Sequence, residues 1–138
     1  MRVVVDTNVL LSAFIRVGSK PYQVVEAWLD GVFELVSSAA QIEEVSRASR
    51  YPRVRQPIGA AEVGWLVNRI RDRALMIERL PRVDVSPDPA DNFLLGMAQA
   101  GDADFLVSGD KTGLLAFRQH RNTRIISVTE FVAGIGLR

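Results

Sequence analysis

Asp6 stands directly behind the apolar run Val3-Val4-Val5 and ahead of Thr7-Asn8. A carboxylate placed there does little for a core. It either holds a cation where a strand ends or caps the helix that follows, and the residue alone leaves both readings open. Asp110 repeats the arrangement behind Phe105-Leu106-Val107-Ser108-Gly109, where Gly109 allows a sharp turn or a close backbone approach. Asp88 and Asp91 come as Asp-Pro-Ala-Asp ahead of an apolar helical pattern. Asp88 has the place of an N-cap and Pro89 that of the first helical residue, so local structure accounts for Asp88. Asp91, in the first turn, is favoured by the positive end of the helix and can point back toward the strand ends. Glu44 lies beside Glu43 on a helix whose Ile42 and Val45 face a core, which puts Glu44 at the edge of the buried face.

Carboxylates brought together repel one another. At an effective dielectric of about 20, two unit charges about 4 Å apart cost about 4 kcal/mol before screening and proton uptake. A cluster of such groups therefore argues for a cation. Mg²⁺ and Mn²⁺ prefer oxygen ligands and keep some water. They lower the pKa of a bound water and neutralise charge on phosphoryl oxygens, which is what hydrolysis of a phosphodiester needs. With no cysteine the chain can make neither a thiolate metal site nor a disulfide, and a single histidine cannot supply a multi-histidine site. That histidine, His120, sits beside Arg121 and reads as a surface residue.

The acids need a scaffold that gathers them. Short apolar runs alternate with helical patterns along the chain. Arg2–Val5 reads as a buried strand and Asn8–Ile15 as a helix capped by Thr7 or Asn8. After the break at Gly18-Ser19-Lys20-Pro21, Tyr22–Leu29 has helical spacing. Phe33–Val36 is a second strand, and Ser37 or Ser38 caps a helix that ends at Tyr51-Pro52. Gly59–Ala74 is helical, Leu75–Ile77 a strand, and Pro81–Pro89 an extended connection. Ala90–Ala100 is helical, Phe105–Val107 a strand, and Thr112–Phe117 a short helix. Ile125–Ser127 and Val128–Val132 are the last strand and helix. Strands alternating with helices predict a mainly parallel sheet covered on both faces. Ligands of such sheets bind outside the carboxyl ends of the strands, and that rule selects Asp6 and Asp110.

A chain of 138 residues, 48% hydrophobic and 24% charged, predicts one domain spanning 1–138 with a core of ordinary size. Too few apolar residues precede Asp6 for a signal-peptide core, and no apolar run is long enough to cross a membrane, so a cytoplasmic location is expected. The net charge of +1 is uninformative, but arginines gather locally: Arg47, Arg50, Arg53 and Arg55; Arg69, Arg71 and Arg73; and Arg118, Arg121 and Arg124 around His120. Such groups suit a phosphate backbone and equally suit solvated helix faces.

The motifs together resemble the PIN-domain family. Val3-Val4-Val5-Asp6-Thr7-Asn8-Val9-Leu10 is similar to its opening motif, Ile42-Glu43-Glu44-Val45 to the motif around its second acid, and Asp91-Asn92-Phe93-Leu94 to the third. Asp102-Ala103-Asp104-Phe105-Leu106-Val107-Ser108-Gly109-Asp110 is similar to the fourth. The likeness runs from residue 2 to about 128, with the VapC-like toxins of toxin–antitoxin pairs as the branch most resembled. It implies a three-layer α/β/α fold with a mostly parallel central sheet. It implies a nuclease dependent on Mg²⁺ or Mn²⁺ and acting on RNA, with Asp6, Glu44, Asp91 and Asp110 as catalytic, metal-binding acids. Asn8 and Ser108 carry over as polar supports of the site. Many relatives place a further acid shortly after the fourth; Lys111-Thr112-Gly113 stands there instead. The resemblance also implies a homodimer and a cognate antitoxin laid over the active-site groove. The helices containing Leu10, Leu11 and Phe14, and Val25 and Trp28, are expected to offer apolar surface for such contacts.

Two other functions compete. A non-catalytic PIN-like module binding RNA or a partner would not need all four acids. A haloacid-dehalogenase-like phosphatase would need a second aspartate two positions after Asp6, where Asn8 stands, and a receiver domain would need an adjacent acidic pair after the first strand.

Overall fold

The computed structural model describes residues 1–48, 50, 58–109 and 113–135. The strands are β1 (Arg2–Val5), β2 (Glu34–Ser38), β3 (Leu75–Ile77), β4 (Phe105–Ser108), β5 (Gln119–His120) and β6 (Thr123–Ser127). The helices are α1 (Thr7–Ser12), α2 (Lys20–Leu29), α3 (Ala39–Ala48), α4 (Ala60–Arg73), α5 (Pro89–Ala100) and α6 (Val128–Ile135), with a 3₁₀ turn at Leu114–Phe117. One sheet runs in the order β3-β2-β1-β4-β6-β5. Its pairings are parallel except β5–β6, which is antiparallel.

Why β1 lies at the centre follows from its side chains. Val3, Val4 and Val5 are all fully buried. Alternation sends Val3 and Val5 to one face, where α1, α2, α3, α4 and α6 supply Leu10, Trp28, Val45, Leu66 and Phe131. Val4 goes to the other face, where α5 supplies Leu94, Leu95 and Met97 and the 3₁₀ turn supplies Leu114. A strand covered on both sides reads as a continuous apolar run, which is the signal seen in the sequence. The result is the expected three-layer α/β/α arrangement. Burying a valine or leucine side chain fully is worth about 1.5–3 kcal/mol, so the two cores fix the sheet's orientation between the helices. The end of α5 comes very close to the sheet: a Cβ at Gly101 would lie 2.7 Å from Val36 Cγ1, so glycine is needed there for space.

Several boundaries differ from the sequence reading. The second strand is Glu34–Ser38; Phe33 precedes it and packs edge-to-face on Phe131 at 5.4 Å. The first helix ends at Ser12, and Phe14 and Ile15 close tighter bonds to Leu11 and Ser12. Its cap is Asp6, not Thr7 or Asn8. Ser38 Oγ accepts from Gln41 N–H at 3.4 Å, which selects Ser38 over Ser37 as the cap of α3. Strand β5 was not expected, because two residues show no period. The surface offered for assembly needs correction: Leu10, Leu11, Val25 and Trp28 are core residues, at most 5% exposed. They are covered because α1 packs on β4 while α2 packs on α1 and α6, so that all four side chains join one core with Val3 and Val5 of β1. Among the described residues no helix is long and apolar enough to cross a membrane.

Candidate active site

Asp6 leaves the sheet where β1 ends. Its N–H still donates to Val107 O at 2.9 Å, so its backbone is tied to β4 while its side chain turns out of the strand. One carboxylate oxygen, Oδ1, accepts from Asn8 N–H at 3.1 Å and caps α1. The other, Oδ2, accepts from Ser108 Oγ–H at 3.0 Å. Asp6 is only 9% exposed. A carboxylate so far out of water survives because charge-assisted hydrogen bonds replace part of its hydration. The two sequence readings of Asp6 are thus compatible: it caps a helix and faces a cavity of about 330 Å³ walled by Asn8, Ser12, Gly109, Pro21 and Val128. Asn8 contributes its backbone N–H to Asp6, while its side chain is exposed.

A residue absent from the sequence analysis holds this corner in place. Gln41, fully buried on α3, donates through Nε2 to Val5 O at 2.7 Å and accepts from Ser37 Oγ–H at 2.6 Å. Helix α3 is thereby bolted to the last peptide before Asp6. The signal was present: Gln41 is four residues before Val45, so a polar residue shares the apolar face of α3. Glu44 follows Gln41 by one turn and is half-buried, whereas Glu43 is exposed.

Asp91 occupies the first turn of α5 and is half-buried. Ser86 Oγ–H donates to Asp91 Oδ2 at 3.3 Å. Asn92 closes a two-bond clasp on Ser86, accepting from its N–H at 2.9 Å and donating to its carbonyl at 2.8 Å. Asp88 caps α5, accepting from Ala90 N–H at 3.0 Å, as expected. The extended connection is therefore folded back on the helix start by Ser86 and Asn92; Asn92 belongs to the third motif, but its partner Ser86 lies outside it. Helix α5 ends beside the start of β1, where Arg2 Nη1 donates to Gly101 O at 3.1 Å. Twelve residues of helix span about 18 Å, so its first turn, with Asp91, lies at the other end of the strands, the end of Asp6. Helix α3 begins at that end too, directly after Ser38.

Asp110 lies outside the described residues, as do Arg53 and Arg55. Among the described residues no group of three or more acidic or histidine side chains is placed to hold a metal ion. The donors at the Asp6 corner are carboxylate and hydroxyl oxygens, with no sulfur and no imidazole, and that chemistry fits a hard divalent cation. His120 lies elsewhere, pairing with Thr123 at the opposite end of the sheet. Its Nε2 shares a hydrogen bond with Gln99 Oε1 at 3.1 Å. Burial, and then the charge of Arg121, hold its pKa below the ordinary value of 6.5.

A family model described as the PIN domain matches residues 2–112. The chain belongs to the PIN-domain family. Among solved structures, the PIN-domain chain is similar to the crystal structure of VapBC2 from Rickettsia felis bound to a DNA fragment from their promoter. The likeness has a TM-score of 0.59 at 14% identity and covers 92% of this chain and 98% of that one. At that identity the likeness is one of fold. No curated protein matches the sequence.

Proposed function

We propose that this PIN-domain protein is a divalent-metal-dependent endoribonuclease, and that it serves as the toxin of a toxin–antitoxin pair in the cytoplasm. The observation that carries the reading is the Asp6 corner: a nearly buried carboxylate, oriented by Asn8 N–H and Ser108 Oγ–H, facing an open cavity at the carboxyl edge of a parallel sheet. Membership of the PIN family supports it, and so does the likeness of fold to the VapBC2 structure.

In this proposal Asp6, Glu44, Asp91 and Asp110 hold Mg²⁺ or Mn²⁺. Such an ion, when bound, lowers the pKa of water and offsets charge on the phosphoryl oxygens. The chain's own contribution is orientation. Ser108 and the Asn8 peptide fix the Asp6 carboxylate, Gln41 fixes the strand end that carries it, and Ser86 fixes Asp91. A water oxygen attacks phosphorus in line, the P–O3′ bond breaks, and the departing O3′ takes up a proton. The products carry a 5′-phosphate and a 3′-hydroxyl.

A homodimer and a cognate antitoxin belong to the same proposal. With Leu10, Leu11, Val25 and Trp28 inside the core, the apolar surface beside α1 is exposed Ile15 and Val17, with Trp65 edge-on to the half-buried Phe14. Light scattering of the purified chain tests the dimer, and a monomer at tens of micromolar, roughly the range of a weak interface, would refute it.

The test of activity is cleavage of single-stranded RNA by purified protein with Mg²⁺ or Mn²⁺, with EDTA, and with Asp6→Asn. Cleavage is expected only for wild type with metal. Equal cleavage in EDTA would end the metal reading, and binding without cleavage under every condition would favour a non-catalytic RNA-binding module.

A further inference from the structure

The β5–β6 edge carries features that neither packing nor the metal site uses. Arg118 has φ 61° and ψ −31°, and Arg121 has φ 53°. Both conformations are disfavoured for any residue with a β-carbon, and Gly or Asn holds positive φ with less strain. Both arginines are exposed, and among the described residues neither guanidinium is in an ion pair. Strain kept at an exposed cationic residue calls for a role of the side chain. Phe117, next to Arg118, is 38% exposed although it is a large aromatic on a 3₁₀ turn.

The edge is held in a fixed place. Gln119 Nε2 donates to Arg121 O at 2.9 Å, and His120 is hydrogen-bonded to Gln99 on α5. Arg118 O accepts from Ile125 N–H at 2.8 Å, and Ile125 is level with Leu106 and, through it, with Val4. Asp6 is two residues beyond Val4. Three strand spacings of about 4.8 Å and two residues of about 3.3 Å put the Arg118 backbone roughly 16 Å from that of Asp6. A few nucleotides of extended strand span that distance. Arg124 is left out, because it shares a depression with Glu130.

We propose that Phe117, Arg118 and Arg121 form a contact strip for single-stranded RNA leading away from the acidic edge. The Phe117 ring takes the face of a base, and the two guanidiniums take phosphates. An aromatic interleaved with cations suits single strands, because every base has a stacking face while a duplex hides it. The inference rests on the ribonuclease reading for its substrate class.

The experiment measures fluorescence anisotropy of a labelled oligouridylate in EDTA, across a salt series. It compares wild type, Arg118→Gly, Arg121→Asn, their double variant, Phe117→Ala, and Arg82→Gln as a control on an exposed arginine elsewhere. The double variant should bind at least tenfold more weakly. Its log K against log salt should be shallower by about 1.4, since each single-strand phosphate contact contributes about 0.7. Its melting temperature should be unchanged or higher, because Gly and Asn relieve the backbone; a structural role would lower it. Phe117→Ala should weaken the single strand and leave an RNA duplex of the same length unaffected. Variants that bind like wild type while wild type still cleaves RNA with metal overturn the strip and leave the ribonuclease reading standing. A wild type that neither binds nor cleaves RNA overturns both. Equal binding of duplex and single strand, with no effect of Phe117→Ala, overturns the single-strand assignment.

Discussion

Asp6 and Asp91 both stand at the start of a helix, and the molecule treats them differently. Asp6 is nearly buried, and one of its oxygens is held by a side chain 102 residues away, Ser108. Asp91 is half-buried and is held by Ser86, five residues before it in the same connection. The capping role is divided the same way: Asp6 caps its own helix, while at α5 the neighbouring Asp88 caps and Asp91, in the first turn, is bonded to Ser86. A carboxylate fixed by the sheet cannot relax when its charge is unfavourable, whereas one held by a local clasp can turn to water. On the proposed reading, Asp6 carries more of the electrostatic cost in metal-free protein than Asp91 and gains more from a cation.

Melting curves break or sharpen this contrast. Asp6→Asn should abolish metal-dependent cleavage. In EDTA it should melt higher than wild type, since the amide keeps the cap without the desolvated charge, a gain of about 1 kcal/mol. Saturating Mn²⁺ should stabilise wild type by about 2.7 kcal/mol at a hundred times Kd and Asp6→Asn far less. Asp91→Asn should change the EDTA melting little. If all three proteins respond to metal identically and Asp6→Asn does not melt higher in EDTA, the acids do not share a site.

The next effect belongs to the bolt beneath Asp6. Gln41→Leu leaves Val5 O and the Ser37 hydroxyl without the partner each has in Gln41, a loss of about 2–5 kcal/mol by denaturant unfolding. Stability within about 0.5 kcal/mol of wild type, the usual scatter of surface substitutions, would show that water or a neighbour replaces the amide.

Asp88→Ala should cost about 1 kcal/mol through the lost cap and keep its cleavage rate, because the bond its carboxylate makes among the described residues is the cap of α5. A collapse of activity without loss of stability would move Asp88 into the site and weaken the division of labour with Asp91.

The smallest effect is at His120, remote from both acids. Its folded pKa lies below its unfolded value, so the unfolded chain binds more protons once the pH falls below about 6.5, and stability declines there. His120→Gln should flatten that decline slightly, and an unchanged slope would show that solvent screens the imidazole.

The strand-and-helix alternation, the covered parallel sheet and the capping role of Asp88 were all readable along the chain, since each rests on near neighbours: Val3 to Val5 as a doubly buried run, Asp88-Pro89 as a helix start. The motif around Asp6 was readable for the same reason. What linear pattern could not supply was pairing between distant residues. Ser108 was expected as a support, but that its hydroxyl reaches Asp6 Oδ2 depends on β4 lying beside β1 in the sheet. Gln41 carries no signal of its partner along the chain, because that partner, Val5 O, is 36 residues away and meets it only once α3 packs under β1. Leu10, Leu11, Val25 and Trp28 looked like spare apolar surface until α1 met the sheet and α2 closed on α1 and α6. Hydrophobic periodicity records which face of an element is apolar; only the packed chain decides whether that face meets the core, a partner or water, because burial is a property of the neighbours and not of the residue.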